Sequence, residues 1–258
     1  MASNKRMPRN LARSFQRLSS DGTGNLSSIL AAAMGNPAFN GYWDDFQGSD
    51  ASTWPASANW MYPATVGTGT ESITIVAAQN GTLRTQTGTN SGDGAYQYLG
   101  LNWVANSGGI YYIIRAKLSS AATNKFEVGL TDSLTNEGVV ATEATPTFTA
   151  TDGVVFVFDT SNDTHLHFIS CKAGVVAANV DTGIVVDANF HVYEIYVGPN
   201  GSVEGYVDGQ NIGGNAAGLT ATAPLTPGFG DTTRTTSAKS LTVDYQGCWS
   251  PRGTSLTA

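Results

Sequence analysis

The stretch from Phe190 to Gly209, FHVYEIYVGPNGSVEGYVDG, restricts the fold of this chain more than any other. Between His191 and Val197, the residues Tyr193, Ile195 and Val197 fall on one face and Val192, Glu194 and Tyr196 on the other. A period of two marks a strand with one drier face. Gly198-Pro199-Asn200-Gly201 follows, with φ fixed at the proline and positive φ tolerated at the asparagine and glycine. The return run alternates again, Val203, Gly205 and Val207 against Glu204, Tyr206 and Asp208. Two alternating runs joined by such a turn predict a β-hairpin.

The same pattern continues through most of the chain. Strands are predicted at 72–77, 82–87, 95–103, 109–118, 125–131, 154–159, 165–171, 175–180 and 241–246, separated by turn pairs such as Asn80-Gly81, Gly108-Gly109 and Asp152-Gly153. Val154-Val-Phe-Val-Phe158 is apolar without a break, which predicts a central strand covered on both sides, with Asp152 and Asp159 as charged bookends. No convincing helix follows residue 40. Regular short strands with turns between them predict an all-β antiparallel sandwich over residues 41–258.

Residues 1–40 differ in kind. They hold five of the chain's 13 basic residues (Lys5, Arg6, Arg9, Arg13 and Arg17) against Asp21 alone, a net of +4. The other 218 residues carry eight basic and 19 acidic side chains, a net of −11. Leu11, Phe15 and Leu18 stand at i, i+4 and i+7, so Asn10–Leu18 can form a short amphipathic helix; Ser27–Met34 can add a second. Helices this short need a surface to lie on. The expectation is a basic, partly helical docking arm on an acidic globule. Leu30–Met34 is too short and weakly apolar for a signal or a membrane span, so no membrane partner is expected. Cys171 and Cys248 have no metal-ligand spacing and read as buried free thiols.

Few residues suggest chemistry. Seven of the 25 aromatics cluster between Phe39 and Tyr62; in a β protein such a group more often closes the core than stacks on sugar. Exposed tryptophans remain the natural sugar platforms, and Trp54, Trp60 and Trp103 are the candidates. His165 and His167 alternate on one strand face, but no cysteine, aspartate or third histidine at an obvious ligand spacing accompanies them, so no metal and no cofactor are expected. Glycoside hydrolysis requires two carboxyl groups about 5–9.5 Å apart, and the acidic residues are scattered singly. No nucleophile elbow, phosphate loop or dinucleotide fingerprint is present. Five basic residues without a folded basic face are a weak sign of nucleic acid, which the acidic body would oppose.

The hairpin carries a resemblance as well. Tyr193-x-Ile195-x-Val197, a polar turn, and Ser202 through Gly209 resemble the hairpin of concanavalin A-like (laminin-G-like) jelly-roll sandwiches. Trp43-Asp-Asp-Phe46, Phe126 through Asp132, and Leu241-Thr-Val-Asp-Tyr245 followed by Arg252 are similar to that family as it occurs in tailed-phage virion proteins. The resemblance covers roughly residues 41–252. Gly205 departs from it, since a bulky residue is usual there; a close backbone approach or a bulge is expected.

What the resemblance implies is a non-enzymatic structural protein of a phage virion, assembled in the host cytoplasm. It would decorate or cement the capsid through Lys5, Arg6, Arg9, Leu11, Arg13, Phe15, Arg17 and Leu18. Its partners would be the major capsid protein or another virion protein, and further copies of itself in a symmetric oligomer, with a trimer as the guess. The alternative is a lectin-like module of a head or tail fibre that binds a host surface glycan; a glycoside hydrolase ranks last. A fold does not determine a function.

Overall fold

The computed structural model describes residues 39–44, 61–67, 70–76, 81–100, 103–135, 137–143 and 145–251. The docking-arm residues, with Trp54 and Trp60, lie outside them. Among the described residues the chain forms two large antiparallel sheets packed face to face and a small two-stranded sheet between 140 and 148, with one short turn of 3-10 helix, Ala105–Ser107. No described helix is long and apolar enough to cross a membrane.

The strands are β1 (Phe39–Asp44), β2 (Met61–Val66), β3 (Ser72–Val76), β4 (Thr82–Gln86), β5 (Gly94–Leu99), β6 (Ile110–Leu118), β7 (Asn124–Thr131), β8 (Val140–Thr142) and β9 (Thr147–Phe148). They continue as β10 (Gly153–Asp159), β11 (His165–Lys172), β12 (Val175–Val185), β13 (His191–Val197), β14 (Val203–Val207), β15 (Gln210–Asn215), β16 (Thr226–Thr233) and β17 (Ser240–Pro251). Sheet A runs β15-β14-β13-β6-β17-β4-β3, and β1 pairs with the far end of β17. Sheet B runs β12-β11-β10-β7-β16-β5-β2.

The hairpin forms as its sequence predicts. Tyr193 pairs with Val207 and Val197 with Val203, and the turn closes through the Gly201 amide on the Gly198 carbonyl at 2.9 Å, with Gly201 at φ +83°. Its inward residues Tyr193 and Ile195 meet Phe126, Phe156, Phe158 and Phe168 of sheet B. Ring centroids lie 5.4 Å apart for Phe156–Tyr193 and 5.0 Å for Phe156–Phe168, the tilted contacts aromatic cores favour. Gly205 is explained by this packing. A Cβ there would stand 3.0 Å from both the Phe168 ring and Ile212, and the β14–β15 register slips just beyond it. The close approach comes from an aromatic ring of the opposite sheet.

Strand β10 lies between β7 and β11, and its apolar run is covered on both faces. Val154, Phe156 and Phe158 point into the sandwich. Val155 and Val157 point outward beneath Val139, Val140, Phe148 and Ala150 of the 132–152 segment, which folds back over sheet B.

The structure also corrects the predicted strand boundaries. Strand β5 ends at Leu99, and Trp103 makes only an isolated bridge with Leu225. Strand β12 runs on to Val185, with Gly183 at φ +66° near its end. Strand β16, Thr-Pro-Gly-Phe-Gly-Asp-Thr-Thr, was hidden by the proline and glycines that ordinarily break strands, yet it lies inside sheet B. Tyr96 and Tyr98 explain the glycines, because their rings occupy the space a Cβ at Gly230 or Gly228 would need. At Pro227, which has no amide to offer, the neighbouring Thr226 hydroxyl donates to the Leu99 carbonyl.

Both cysteines are free and buried, as expected. Cys248 lies between the sheets and Cys171 on the outer face of sheet B under Ala150, so the two thiols are in different layers. Burial pushes the Cys171 thiol up to about 12.

Candidate functional site

The chemistry-bearing side chains gather where the β10–β11 turn, strands β11 and β12 and the 132–152 segment meet on the outer face of sheet B. Alternation along β11 sends Leu166 and Phe168 inward, and so places His165 and His167 outward. The preceding turn is held by the Asp163 amide on the Asp159 carbonyl at 3.3 Å, and by the Asp163 carboxylate, which accepts the His165 amide at 2.8 Å. The other Asp163 oxygen is thereby aimed at His167 Nε2, 3.1 Å away. Strand β12 then returns beside β11 and brings Asn179 Oδ1 to 3.2 Å from His167 Nδ1, and Asp181 to 3.2 Å from His165 Nδ1. Just past β8, Glu143 places a carboxylate oxygen 3.3 Å from His167 Nε2.

Glu143 is 2% exposed, and its polar neighbours are the His167 ring and the Asn162 side chain. A buried carboxylate is costly unless it is well compensated. Burial pushes this carboxyl up to about 7, against the pull of nearby His167 and with a further push from Asp163 and Asp159. On His167, burial works downward but is outweighed by the contacts with Asp163 and Asn179 and the charge of Glu143, so the imidazole is raised.

Two donor sets result, Glu143/Asp163/His167 and Asp163/His165/Asp181, each with its ligand atoms within 4.8 Å of one another. A tetrahedral ion bound about 2.1 Å from each donor separates its ligands by roughly 3.4 Å. The 3.1 and 3.3 Å contacts of His167 Nε2 match that spacing. Asn179 meets the other ring nitrogen, as an orienting neighbour of a metal-bound histidine does. One imidazole with carboxylates suits zinc or manganese. Sequence spacing alone did not reveal this set. Asp163, four residues before His167, was a usable signal, whereas Glu143 stands 24 positions from His167 and only the fold brings it there. His191 belongs elsewhere: its nitrogens meet Asp208 at 2.7 Å and Asp187 at 3.0 Å, which outweigh its burial and raise it.

Along the same face a small hollow of about 200 Å³ is lined by Gly92, Lys125, Glu137, Ala141, Thr232 and Arg234. Lys125 there pairs with Glu127 at 2.7 Å and donates to the Glu137 carbonyl at 3.1 Å. Glu127 accepts the Val139 and Val140 amides at 2.6 and 3.1 Å, which ties the 132–152 segment to β7. Arg234 holds Asp159 through two nitrogens, one at 2.9 Å.

Of the three tryptophans proposed as sugar platforms, only Trp103 is described. It is 5% exposed and packed in the main core, so it offers no ring face to a ligand. Gly213-Gly214-Asn215 lies within β15 and is not a phosphate loop.

No protein-family model matches this sequence, and no curated protein matches it. Solved structures do resemble it in fold. A protein of unknown function, SO2946 from Shewanella oneidensis MR-1, aligns with TM-score 0.61 at 14% identity, over 91% of this chain and 97% of that one. A Bacillus licheniformis β-glucanase aligns with TM-score 0.54 at 13% identity, over 80% and 96%. The carbohydrate recognition domain of Emp46p, in a potassium-bound form, aligns with TM-score 0.54 at 7% identity, over 81% and 94%. Lectin domains and glycoside hydrolases thus share this architecture, and the fold of the chain is the concanavalin A-like jelly-roll sandwich.

Proposed function

We propose that the chain is a non-enzymatic recognition protein carried on a virion surface, its sandwich reading a glycan beside a cation held by Glu143, Asp163 and His167. The observation that carries this reading is the buried Glu143 carboxylate, aimed with Asp163 at His167 Nε2. A divalent cation would compensate that charge and clamp the 132–152 segment to β11. The adjacent hollow, with Glu137 and Arg234 on its walls, offers an acceptor and a donor to a sugar hydroxyl. A sugar is the ligand class because Emp46p, a carbohydrate recognition domain, shares the fold.

Several features speak against hydrolysis. Glu143, the carboxyl pushed up to about 7, is too deeply buried to protonate a glycosidic oxygen. Glu127 is held by Lys125 and two amides, and Asp159 by Arg234. The virion assignment rests on the sequence resemblance and on the contrast between the basic arm and the acidic body. In that setting the arm docks on the major capsid protein or another virion protein, and the chain works as a symmetric oligomer.

Two measurements test this reading. A glycan array run with manganese or zinc and again with chelator should show binding that the chelator and Glu143→Gln both abolish; a blank array under both conditions overturns glycan recognition. Co-sedimentation with capsids should be lost when Arg9, Arg13 and Arg17 are changed to Glu, and retained binding overturns docking through the arm.

A further inference from the structure

Strand β12 closes one end of sheet B, and no other described strand pairs with its free side. Its eleven residues, Val175–Val185, make it the longest of the described edge strands. Natural sheets blunt such edges with prolines, charges, bulges or shortness, because an open strand is a template for another chain. The other edges follow that rule: β2 carries Pro63, β3 has five residues, and β15 carries Gly213 and Gly214. Strand β12 holds no proline and no basic residue, and it turns valines to solvent. Four large apolar side chains are exposed among the described residues. Three of them lie here: Val175 at 67%, Val176 at 42% and Val185 at 64%.

Two register shifts interrupt the strand and decide which of its residues can face a mate. Val185 pairs with His165, Val180 with Phe168 and Val176 with Cys171. Measured along β11, Val185 and Val176 therefore stand three residues to either side of Val180. Asn179 and Asp181, paired with Ile169 and His167, stand one residue to either side. Directly paired residues share a face of the sheet. All four β12 side chains thus lie on the outer face, with His165, His167, Ile169 and Cys171.

We propose that β12 pairs antiparallel with β12 of a second copy of the chain, about a twofold axis at Val180, so that two B sheets become one. In this register Val185 meets Val176 of the second copy and Asn179 meets its Asp181, each contact occurring twice. β-Branched against β-branched and donor against acceptor are the cross-strand pairs that stabilise a ladder. Asn179 turns its Oδ1 to His167 Nδ1, which leaves its amide nitrogen to donate to the Asp181 carboxylate across the axis. Ala177 is the extra residue of one register shift. Its carbonyl already accepts Asn215 Nδ2 at 2.6 Å, a bond that takes nothing from the ladder. One paired strand covers less than the roughly 800 Å² per partner of a standard interface, so the association is reversible. The pairing deepens the reading of the chain as a symmetric oligomer by giving its interface. It closes with two copies, and it depends on neither glycan nor capsid.

Sedimentation of the full-length protein over about a hundredfold range of concentration tests the association. The wild type should pass from monomer to dimer. Val176→Lys with Val185→Lys should raise the dimer dissociation constant at least about tenfold without lowering the unfolding midpoint, since both side chains are exposed. Cysteine pairing reads the register. Directly opposed Cβ atoms lie about 4.5–5.5 Å apart, so a mixture of Val176→Cys and Val185→Cys chains should oxidise to a covalent dimer. Either variant alone should not, because its two copies are held about 20 Å apart, six residues at roughly 3.3 Å. The native Cys171 and Cys248 are buried and do not compete. A wild type that stays monomeric throughout overturns the pairing. So does an oligomer that the lysine variant leaves intact, or cross-linking of one variant alone as efficient as that of the mixture. A monomer that still binds glycan separates this failure from failure of glycan recognition.

Discussion

The Lys125 ammonium lies 2.7 Å from the Glu127 carboxylate on one face of β7, and both side chains are at most 3% exposed. This pair, with the Val139 and Val140 amides on Glu127, is what fastens the 132–152 segment across sheet B. Removing one partner of a buried pair strands the other, at a cost of about 3–5 kcal/mol. Glu127→Ala should therefore unfold at markedly lower denaturant concentration and expose the amides of residues 137–143 to exchange. Unchanged stability would show that the pair does not fasten the segment.

The fit of Phe168 against Gly205 leads to a second prediction. A valine at 205 would force its methyls against a ring already 3.0 Å from the Cβ position. Overpacking of this kind costs about 1–3 kcal/mol. Gly205→Val should lower the unfolding midpoint accordingly, and Phe168→Leu in the same chain should recover part of the loss. Chemical denaturation of the single and double variants reads the coupling.

Asp231 makes stability depend on pH. It is fully buried between the sheets, accepts the Thr85 hydroxyl at 2.7 Å, and is pushed by burial up to about 8. The unfolded chain ionises this group near its usual value of about 4. Between those values the folded state holds a proton that the unfolded state has released, so this group's contribution to stability falls as pH rises, by about 1.4 kcal/mol per unit, and levels off above the folded value. Wild-type stability measured from pH 4 to 8 should carry that slope, and Asp231→Asn should be flatter over the same range. Equal slopes would mean that Asp231 does not titrate as a buried acid.

The donor set around His167 predicts a ligand effect on folding. A cation that binds only the folded state stabilises it by about 2.7 kcal/mol at a hundredfold excess over its dissociation constant. Manganese or zinc should raise the Tm of the wild type and leave Glu143→Gln unchanged. A Tm that ignores both metals in the wild type removes the site.

Much of the architecture was legible because it is local. Alternation between Phe190 and Gly209 defined the hairpin, and unbroken apolarity at Val154–Phe158 announced a strand covered on both faces. Where side-chain spacing conflicted with turn-forming residues, the reading failed. Strand β16 carries two glycines because the Tyr96 and Tyr98 rings need their space, and those tyrosines lie more than a hundred residues away. Trp103 was read as the end of a strand and an exposed platform, yet its bridge to Leu225 draws it into the core.

The sequence by itself thus determined the strand-rich class, the hairpin and the contrast between a basic arm and an acidic body, because each depends on neighbours along the chain. Only the tertiary structure decided which polar residues meet. Glu143 reaches His167 because the 132–152 segment folds back over sheet B, and Asn179 and Asp181 reach β11 because β12 returns antiparallel beside it. Pairing across a sheet is set by long-range closure of the chain, which no local spacing encodes.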